Sequence, residues 1–134
     1  MSHLLDVNFL VACGWRAHQH YAAARAWLDR QHQFATCPIT QLGFLRVSIG
    51  PGHRASFEDA MIAFEAITKR KGAIFIPNDL PAGKITPVAS HADITDAYLV
   101  ALSKAHNLKL ATLDDALCAK PWATSIAENP LNVR

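Results

Sequence analysis

Four short apolar segments, at residues 3–5, 35–37, 73–76 and 108–111, alternate along this chain with longer segments whose apolar residues recur at helical spacing. That alternation leaves few architectures open. A strand buried on both faces reads as a short apolar run, and a helix that carries the chain back to the next strand lays down a parallel sheet covered on both sides. The predicted class is α/β: a central, mostly parallel β-sheet flanked by α-helices in three layers. The helical period gives a helix starting within 9–13, an amphipathic stretch over 18–31 carrying Tyr21, Ala24, Trp27 and Leu28, and a helix over 40–47 with Leu42, Leu45 and Ile49 facing inward. Two more follow. One runs over 56–70, with Ser56 as N-cap, Ala60, Phe64 and Ile67 on one stripe, and Gly72 as the stop; the other runs over 93–106, with Ala97, Leu99, Val100, Leu102 and Ala105 as its apolar face. Pro77, Pro81, Gly83 and Pro87 make the stretch between them a surface loop, and a last strand is expected near 124–127.

A chain of 134 residues fits one domain spanning 1–134, long enough to bury a core without disulfides. At 51% hydrophobic and 18% charged residues, its composition is that of a compact globular chain. The formal net charge of +2 is too small to attract a nucleic acid by bulk electrostatics, so any phosphate attraction must be local. Cys13, Cys37 and Cys118 are odd in number, match no zinc spacing and lie among apolar neighbours. They read as reduced thiols of a cytoplasmic protein. No basic lead followed by an apolar stretch opens the sequence, and no apolar run approaches the roughly 20 residues that cross a bilayer, so no membrane association is expected.

Open α/β sheets bind ligands beyond the carboxyl ends of their strands. Asp6 follows the first strand, Thr40 and Gln41 follow the second, and Asp114 follows the fourth. Asp93 and Asp96 open the helix that precedes the fourth strand. Four acids from three segments therefore converge on one rim. Clustered carboxylates repel one another unless cations neutralise them or some take up protons. Oxygen donors without sulfur favour Mg²⁺ or Mn²⁺ over Zn²⁺, and phosphodiester hydrolysis is the natural use of such a site.

Each of these residues also has a structural role open to it. Asp6 is placed to cap the following helix, and Asp93 and Asp96 have the spacing of an N-cap and a third-position acid, with capping the better role for Asp93. Asp114 sits where strand-end turns form, and Asp115 is expected to cap the short helix toward Cys118. Asn8 and Thr112 serve either a local turn or the substrate phosphate and its water. Arg46 is either a phosphate ligand or a solvated helix residue. His18 and His20, two residues apart on a helix, point to different faces and are surface residues, not zinc ligands. Lys69-Arg70-Lys71 suits a helix C-terminus as well as RNA, and Trp15, Trp27 and Trp122 are core or interface residues.

Leu4-Leu5-Asp6-Val7-Asn8, Ile94-Thr95-Asp96-Ala97-Tyr98-Leu99 and Leu110-Ala111-Thr112-Leu113-Asp114, in this order and separation, resemble the acidic motifs of PIN-domain ribonucleases. The segment from Cys37 to Arg46 is similar to the corresponding region of VapC-type toxins of type II toxin–antitoxin systems, and the resemblance covers essentially the whole chain. It implies a PIN-like fold and a metal-dependent endoribonuclease with Asp6, Asp96 and Asp114 as direct Mg²⁺ or Mn²⁺ ligands and Gln41 assisting. Asn8, Thr40, Arg46, Asp93 and Thr112 are the implied supporting or substrate-binding residues. It also implies an RNA substrate, a VapB-type antitoxin partner, a homodimer, and products bearing a 5′ phosphate and a 3′ hydroxyl. The departure is Gln41, where many PIN nucleases carry glutamate; an amide oxygen accepts hydrogen bonds but adds no charge. That gap supports the rival reading, a weak or non-cleaving module that binds RNA or an antitoxin. A receiver-like phosphoacceptor domain is disfavoured, because Asp6 has no acidic neighbour and the third strand runs into Pro77-Asn78-Asp79.

Overall fold

A computed structural model describes residues 2–132. Its five strands, β1 (His3–Leu5), β2 (Phe34–Thr36), β3 (Ala73–Phe75), β4 (Lys109–Ala111) and β5 (Ala127–Glu128), form one sheet in the order β3-β2-β1-β4-β5. Every pairing is parallel, as the alternation requires. Six helices connect them: α1 (Val7–Gly14), α2 (Tyr21–Asp29), α3 (Pro38–Ile49), α4 (Phe57–Thr68), α5 (Ile94–Ala105) and the single turn α6 (Asp115–Cys118). The proline-rich stretch before α5 is loop with 3₁₀ turns at Ala82–Lys84 and His91–Asp93.

Successive strand residues point to opposite faces, and the two cores divide on that period. Leu5, Phe34 and Ala111 pack with Phe9, Leu28 and Phe44 under α1 to α4. Leu4, Ala35, Leu110 and Ala127 pack with Leu99 and Leu102 of α5 and Leu117 of α6 on the other side. Each fully buried Phe or Leu contributes roughly 1.5–3 kcal/mol relative to exposure. Cys13 and Cys37 are buried free thiols, and burial pushes Cys13 up to about 12, far from a reactive thiolate.

Where elements depart from the sequence reading, local hydrogen bonding supplies the reason. Helix α1 starts at Val7, before the expected 9–13, because Asp6 is its N-cap and accepts from the Val7 N–H at 2.8 Å. Helix α3 starts at Pro38, whose fixed φ suits the first helical position, with Cys37 as the cap residue and Thr40 Oγ1 accepting from the Cys37 N–H at 3.0 Å. Its inward face is therefore only partly the expected one: Leu45 packs against the core as expected, but its two companions do not. Leu42 is 62% and Ile49 46% exposed, while Thr40, Phe44 and Ser48, four residues apart, are buried. The two polar members are satisfied: Ser48 Oγ donates to the Phe44 carbonyl at 2.7 Å and accepts from Trp15 Nε1 at 2.8 Å.

Ser56 caps α4, accepting from the Asp59 N–H, and Gly72 ends that region at φ 90°, where a Cβ would stand 2.2 Å from the His32 carbonyl oxygen. In α5, Ala105 is exposed, contrary to expectation, and Ser103 is buried with its hydroxyl donating to the Leu99 carbonyl. The last strand lies at Ala127–Glu128, later than 124–127, where it pairs with Leu110 and Ala111 of β4.

Candidate active site at the carboxyl rim

The strand order places β1 and β4 side by side although β2 and β3 intervene in the chain, and at such a switch point the outgoing connections diverge and leave a crevice. The Asp6 N–H donates to the Ala111 carbonyl at 2.9 Å, carrying the β1–β4 ladder to the edge of that crevice. A cavity of about 390 Å³ opens there, lined by Asp6, Asn8, His18, Thr95, Asp96 and Asp114 with Val7, Val11, Val47 and Leu99. The three expected acids thus share one wall-to-wall site: Asp6 from the end of β1, Asp96 from the first turn of α5, and Asp114 from the end of β4.

One hydroxyl organises the centre of this site. Thr112 is fully buried and its Oγ1 donates to Asp6 Oδ2 at 2.8 Å. A hydroxyl has one proton, so once it serves Asp6 the contact with Asn8 runs the other way, Asn8 Nδ2 donating to Thr112 Oγ1 at 3.3 Å. The Asn8 amide is fixed in that sense by the Leu113 N–H, which donates to its Oδ1 at 3.0 Å, and the Asp114 N–H fills the second lone pair of Oγ1 at 3.1 Å. Thr112 is saturated, and it holds Asp6, Asn8 and Asp114 in one frame.

The carboxylates differ in what they have left to offer. Both oxygens of Asp6 are engaged, by Val7 N–H and by Thr112. Asp114 caps α6, accepting from the Leu117 N–H at 3.0 Å; the cap expected of Asp115 belongs to it, and Asp115 Oδ1 instead accepts from Asn129 and Asn132. Asp96 has no hydrogen-bond partner among the described residues. Burial pushes Asp6 above its ordinary value, aided by repulsion from Asp114 and opposed by its hydrogen bonds to Thr112 and Val7. Burial, followed by repulsion from Asp6, Asp114 and Asp93, lifts Asp96 to about 6.

The donor set fits a hard divalent cation in its chemistry: carboxylate, amide and hydroxyl oxygens, with negative charge that resists ionisation until something positive offsets it. The geometry is open. Among the described residues no group of three or more His, Cys, Asp or Glu side chains is already gathered to hold a metal ion.

The supporting residues fall in different places. Asn8 and Thr112 are in the network just described. Gln41 does not line the acidic cavity; its Nε2 donates to Thr36 Oγ1 at 3.0 Å, at the end of β2. Thr40 is fully buried and spends its hydroxyl on the Cys37 backbone, so it supports the start of α3 and does not face a substrate. Asp93 sits at the N-cap position of α5 without a side-chain cap bond, 3.8 Å from Lys120 Nζ. Arg46 is exposed beside the cavity. Two wall residues are not among the expected site residues: Thr95, beside Asp96 in its motif, and His18, whose i, i+2 spacing with His20 speaks only against zinc.

Helix α3 approaches this site across α1. At Gly43 a Cβ would stand 2.3 Å from Val7 Cγ2, so the crossing requires glycine. Val7 is the residue after Asp6.

The PIN domain family model matches residues 3–123. Ribonuclease VapC39 of Mycobacterium tuberculosis is 37% identical over 127 residues, covering 87% of this chain and 91% of that protein, and Ribonuclease VapC29 of the same organism is 38% identical over 120 residues, covering 87% and 89%. Among solved structures, VapBC2 of Rickettsia felis, bound to a promoter DNA fragment, superposes with a TM-score of 0.65 at 16% identity over 96% of this chain and 98% of that one, a likeness of fold. The motif order, the acidic crevice at the β1–β4 switch point and these relatives agree: the chain belongs to the PIN-domain family, among its VapC-type toxins.

Proposed function

We propose that this chain is an endoribonuclease that hydrolyses RNA phosphodiester bonds with the help of Mg²⁺ or Mn²⁺ held by Asp6, Asp96 and Asp114. The observation that carries the reading is the convergence of these three carboxylates on one cavity, with Asp6 and Asp96 both resisting ionisation. A divalent ion bound there supplies a water of lowered pKa and offsets the charge of the scissile phosphate. The chain's own part is positional. Thr112 and the Val7 N–H orient the Asp6 carboxylate, the α6 backbone orients Asp114, and Asp96 keeps both oxygens free for the incoming cation. Arg46 lines the neighbouring cavity, which shares Val11, His18 and Val47 with the acidic one, and is the residue proposed to hold a substrate phosphate. Water is the nucleophile and the 3′ oxygen the leaving group, giving a 5′ phosphate and a 3′ hydroxyl; a 2′,3′-cyclic phosphate would mean attack by the ribose instead.

A VapB-type antitoxin and a second copy of the chain are the proposed partners. Leu42 and Ile49 on α3 and Phe57 and Ile62 on α4 leave apolar side chains exposed on neighbouring helices, more than a lone surface leucine would signify. Among the described residues no helix is long and apolar enough to cross a membrane, which is consistent with a cytoplasmic toxin.

The test is incubation of antitoxin-free protein with structured RNAs, with and without Mn²⁺, beside Asp96→Asn. Cleavage should need the ion and drop by at least about a hundredfold in the variant, as for loss of a group that stabilises developing charge. Cleavage indifferent to both ion and substitution would sink the site. Metal-independent RNA binding without any cleavage would favour the non-cleaving module, the reading that Gln41 supports.

A further inference from the structure

The acidic cavity is the middle of three contiguous ones. On one side it shares Val7 and Thr95 with a groove that also includes Leu42 and Arg46; on the other it shares Val11, His18 and Val47 with a cavity of about 540 Å³ closed by residues 50–53. The charge changes sign across that second shared wall. The middle cavity has three carboxylates and no Lys or Arg, whereas the neighbour has Arg46 and no carboxylate, with His53 on its far side and His18 in the shared wall. Arg46 lines both flanking cavities and has no hydrogen-bond or ion-pair partner among the described residues.

The imidazoles are held in place. His18 Nδ1 accepts from the His20 N–H at 3.0 Å, which puts the proton of the neutral ring on Nε2. Burial, with the neighbouring His20 and His53, keeps His18 below its ordinary value, so at neutral pH it is a hydrogen-bond donor and not a cation. The His53 ring packs on Trp15 with centroids 4.2 Å apart, and Trp15 is anchored through Nε1 to buried Ser48. An aromatic surface backed by a fixed indole, a neutral N–H donor and a free guanidinium form one cavity beside the acids.

We propose that the cavity of Val11, His18, Arg46, Val47 and His53 receives one unpaired RNA nucleotide next to the bond presented to the carboxylates. The base packs on His53 and the valines, Arg46 takes a phosphate, and His18 Nε2–H meets an acceptor on the base or backbone. This rests on the endoribonuclease reading and adds to it the residues that take the flanking nucleotide; the base must be unpaired to reach them, since a base stacked inside an A-form duplex offers no face to a side chain. Complementarity selects the occupant: a polyanion led to a cluster of carboxylates must be gripped by cations beside them, and Arg46 is the uncommitted one.

The experiment uses the full chain carrying Asp96→Asn, titrated by fluorescence anisotropy at pH 8 with a labelled hairpin RNA that has an unpaired loop and with the same RNA closed into a duplex. The loop should bind more tightly. Arg46→Ala should weaken loop binding roughly tenfold and flatten the slope of log affinity against log salt by about 0.7, the signature of one lost phosphate contact on a single strand. His53→Ala should weaken it about fivefold to tenfold without changing that slope, and His53→Phe should restore it, as expected of base stacking. The Arg46 side chain is exposed and makes no hydrogen bond or ion pair with a described residue, so its variant tests binding without removing a polar contact of the fold.

With Asp96 restored and Mn²⁺ present, both alanine variants should raise KM more than they lower kcat. Equal affinity for loop and duplex, or unchanged binding in both variants, overturns the proposal. Cleavage by the native chain with unaltered KM in the variants sinks this inference and leaves the endoribonuclease reading intact. No cleavage of any RNA by the native chain removes both.

Discussion

Thr112 carries more of the site than its size suggests. Its single proton goes to Asp6 and its lone pairs take Asn8 and the Asp114 N–H, so replacing the hydroxyl by a methyl takes a hydrogen bond from Asp6 Oδ2, from Asn8 Nδ2 and from the Asp114 N–H, leaving Asp6 only its bond from the Val7 N–H. Thr112→Val should cost about 1–3 kcal/mol of stability by denaturant unfolding, should lower Mn²⁺-dependent cleavage, and should raise Asp6 further by removing the larger of its two stabilising hydrogen bonds. Thr112→Ser should keep most of both; equal losses in Ser and Val would show that the methyl and not the hydroxyl matters. Gln41 poses the opposite question, what a missing charge costs. Its amide leans on Thr36, a hydroxyl able to donate as well as accept, so a carboxylate is accommodated at that position. Gln41→Glu should tighten Mg²⁺ or Mn²⁺ binding about tenfold, the order expected of one more charge near a partly exposed site. A calorimetric titration without change would place Gln41 outside the ion's reach. At this scale the acids were legible because strand ends and motif order bring them to one rim. The Thr112 network was not, since it depends on which lone pair each donor finds.

Helix α5 presents Asp96 from its first turn, and the pH response of the metal-free protein follows from that placement. An acid raised from 3.8 to about 6 binds its proton more tightly folded than unfolded. Between those values the native state holds more protons, so the stability associated with Asp96 is present below about pH 4 and falls as pH rises toward 6, the reverse of a salt-bridged carboxylate. Thermal melts of native protein and Asp96→Asn across pH 4 to 7 should show the native-minus-variant Tm falling by a few degrees, and Mn²⁺ at pH 7 should recover it in the native protein alone. A flat difference would mean that the carboxylate is solvated and its neighbours remote. Helix α3 shows where periodicity runs out as a guide. Leu42 and Ile49 fit an apolar stripe in the sequence, yet Pro38 starts the helix early and Thr40, Phe44 and Ser48 turn inward, two of them polar but internally satisfied. Hydropathy ranks a leucine above a serine, and only the hydrogen bonds to Cys37, Phe44 and Trp15 reverse the ranking.

For the molecule as a whole, the parallel sheet was legible because a strand with both faces buried has no other reading, and the strand residues divide between two cores on the period the sequence displays. Strand edges were less so: β2 starts at Phe34, and β5 is fixed by its pairing with β4, a long-range contact no local signal carries. Long-range fit also decides how close α1 and α3 lie, and there the margin is one hydrogen atom, the Gly43 side chain against a stiff valine methyl. Gly43→Ala should cost roughly 1–3 kcal/mol through overpacking, and the displacement it forces should reach Asp6 through Val7, so that soluble, folded variant binds Mn²⁺ poorly. Unaltered metal binding would mean that the strain is absorbed within α3. For cells that produce a harmful protein of this kind, the consequence concerns escape. If Gly43→Ala behaves as predicted, a population selected for survival need not strike an aspartate, because adding a single methyl group to a residue with no chemistry of its own would disarm the site, and survivors sequenced for changes in the acidic motifs alone would look intact.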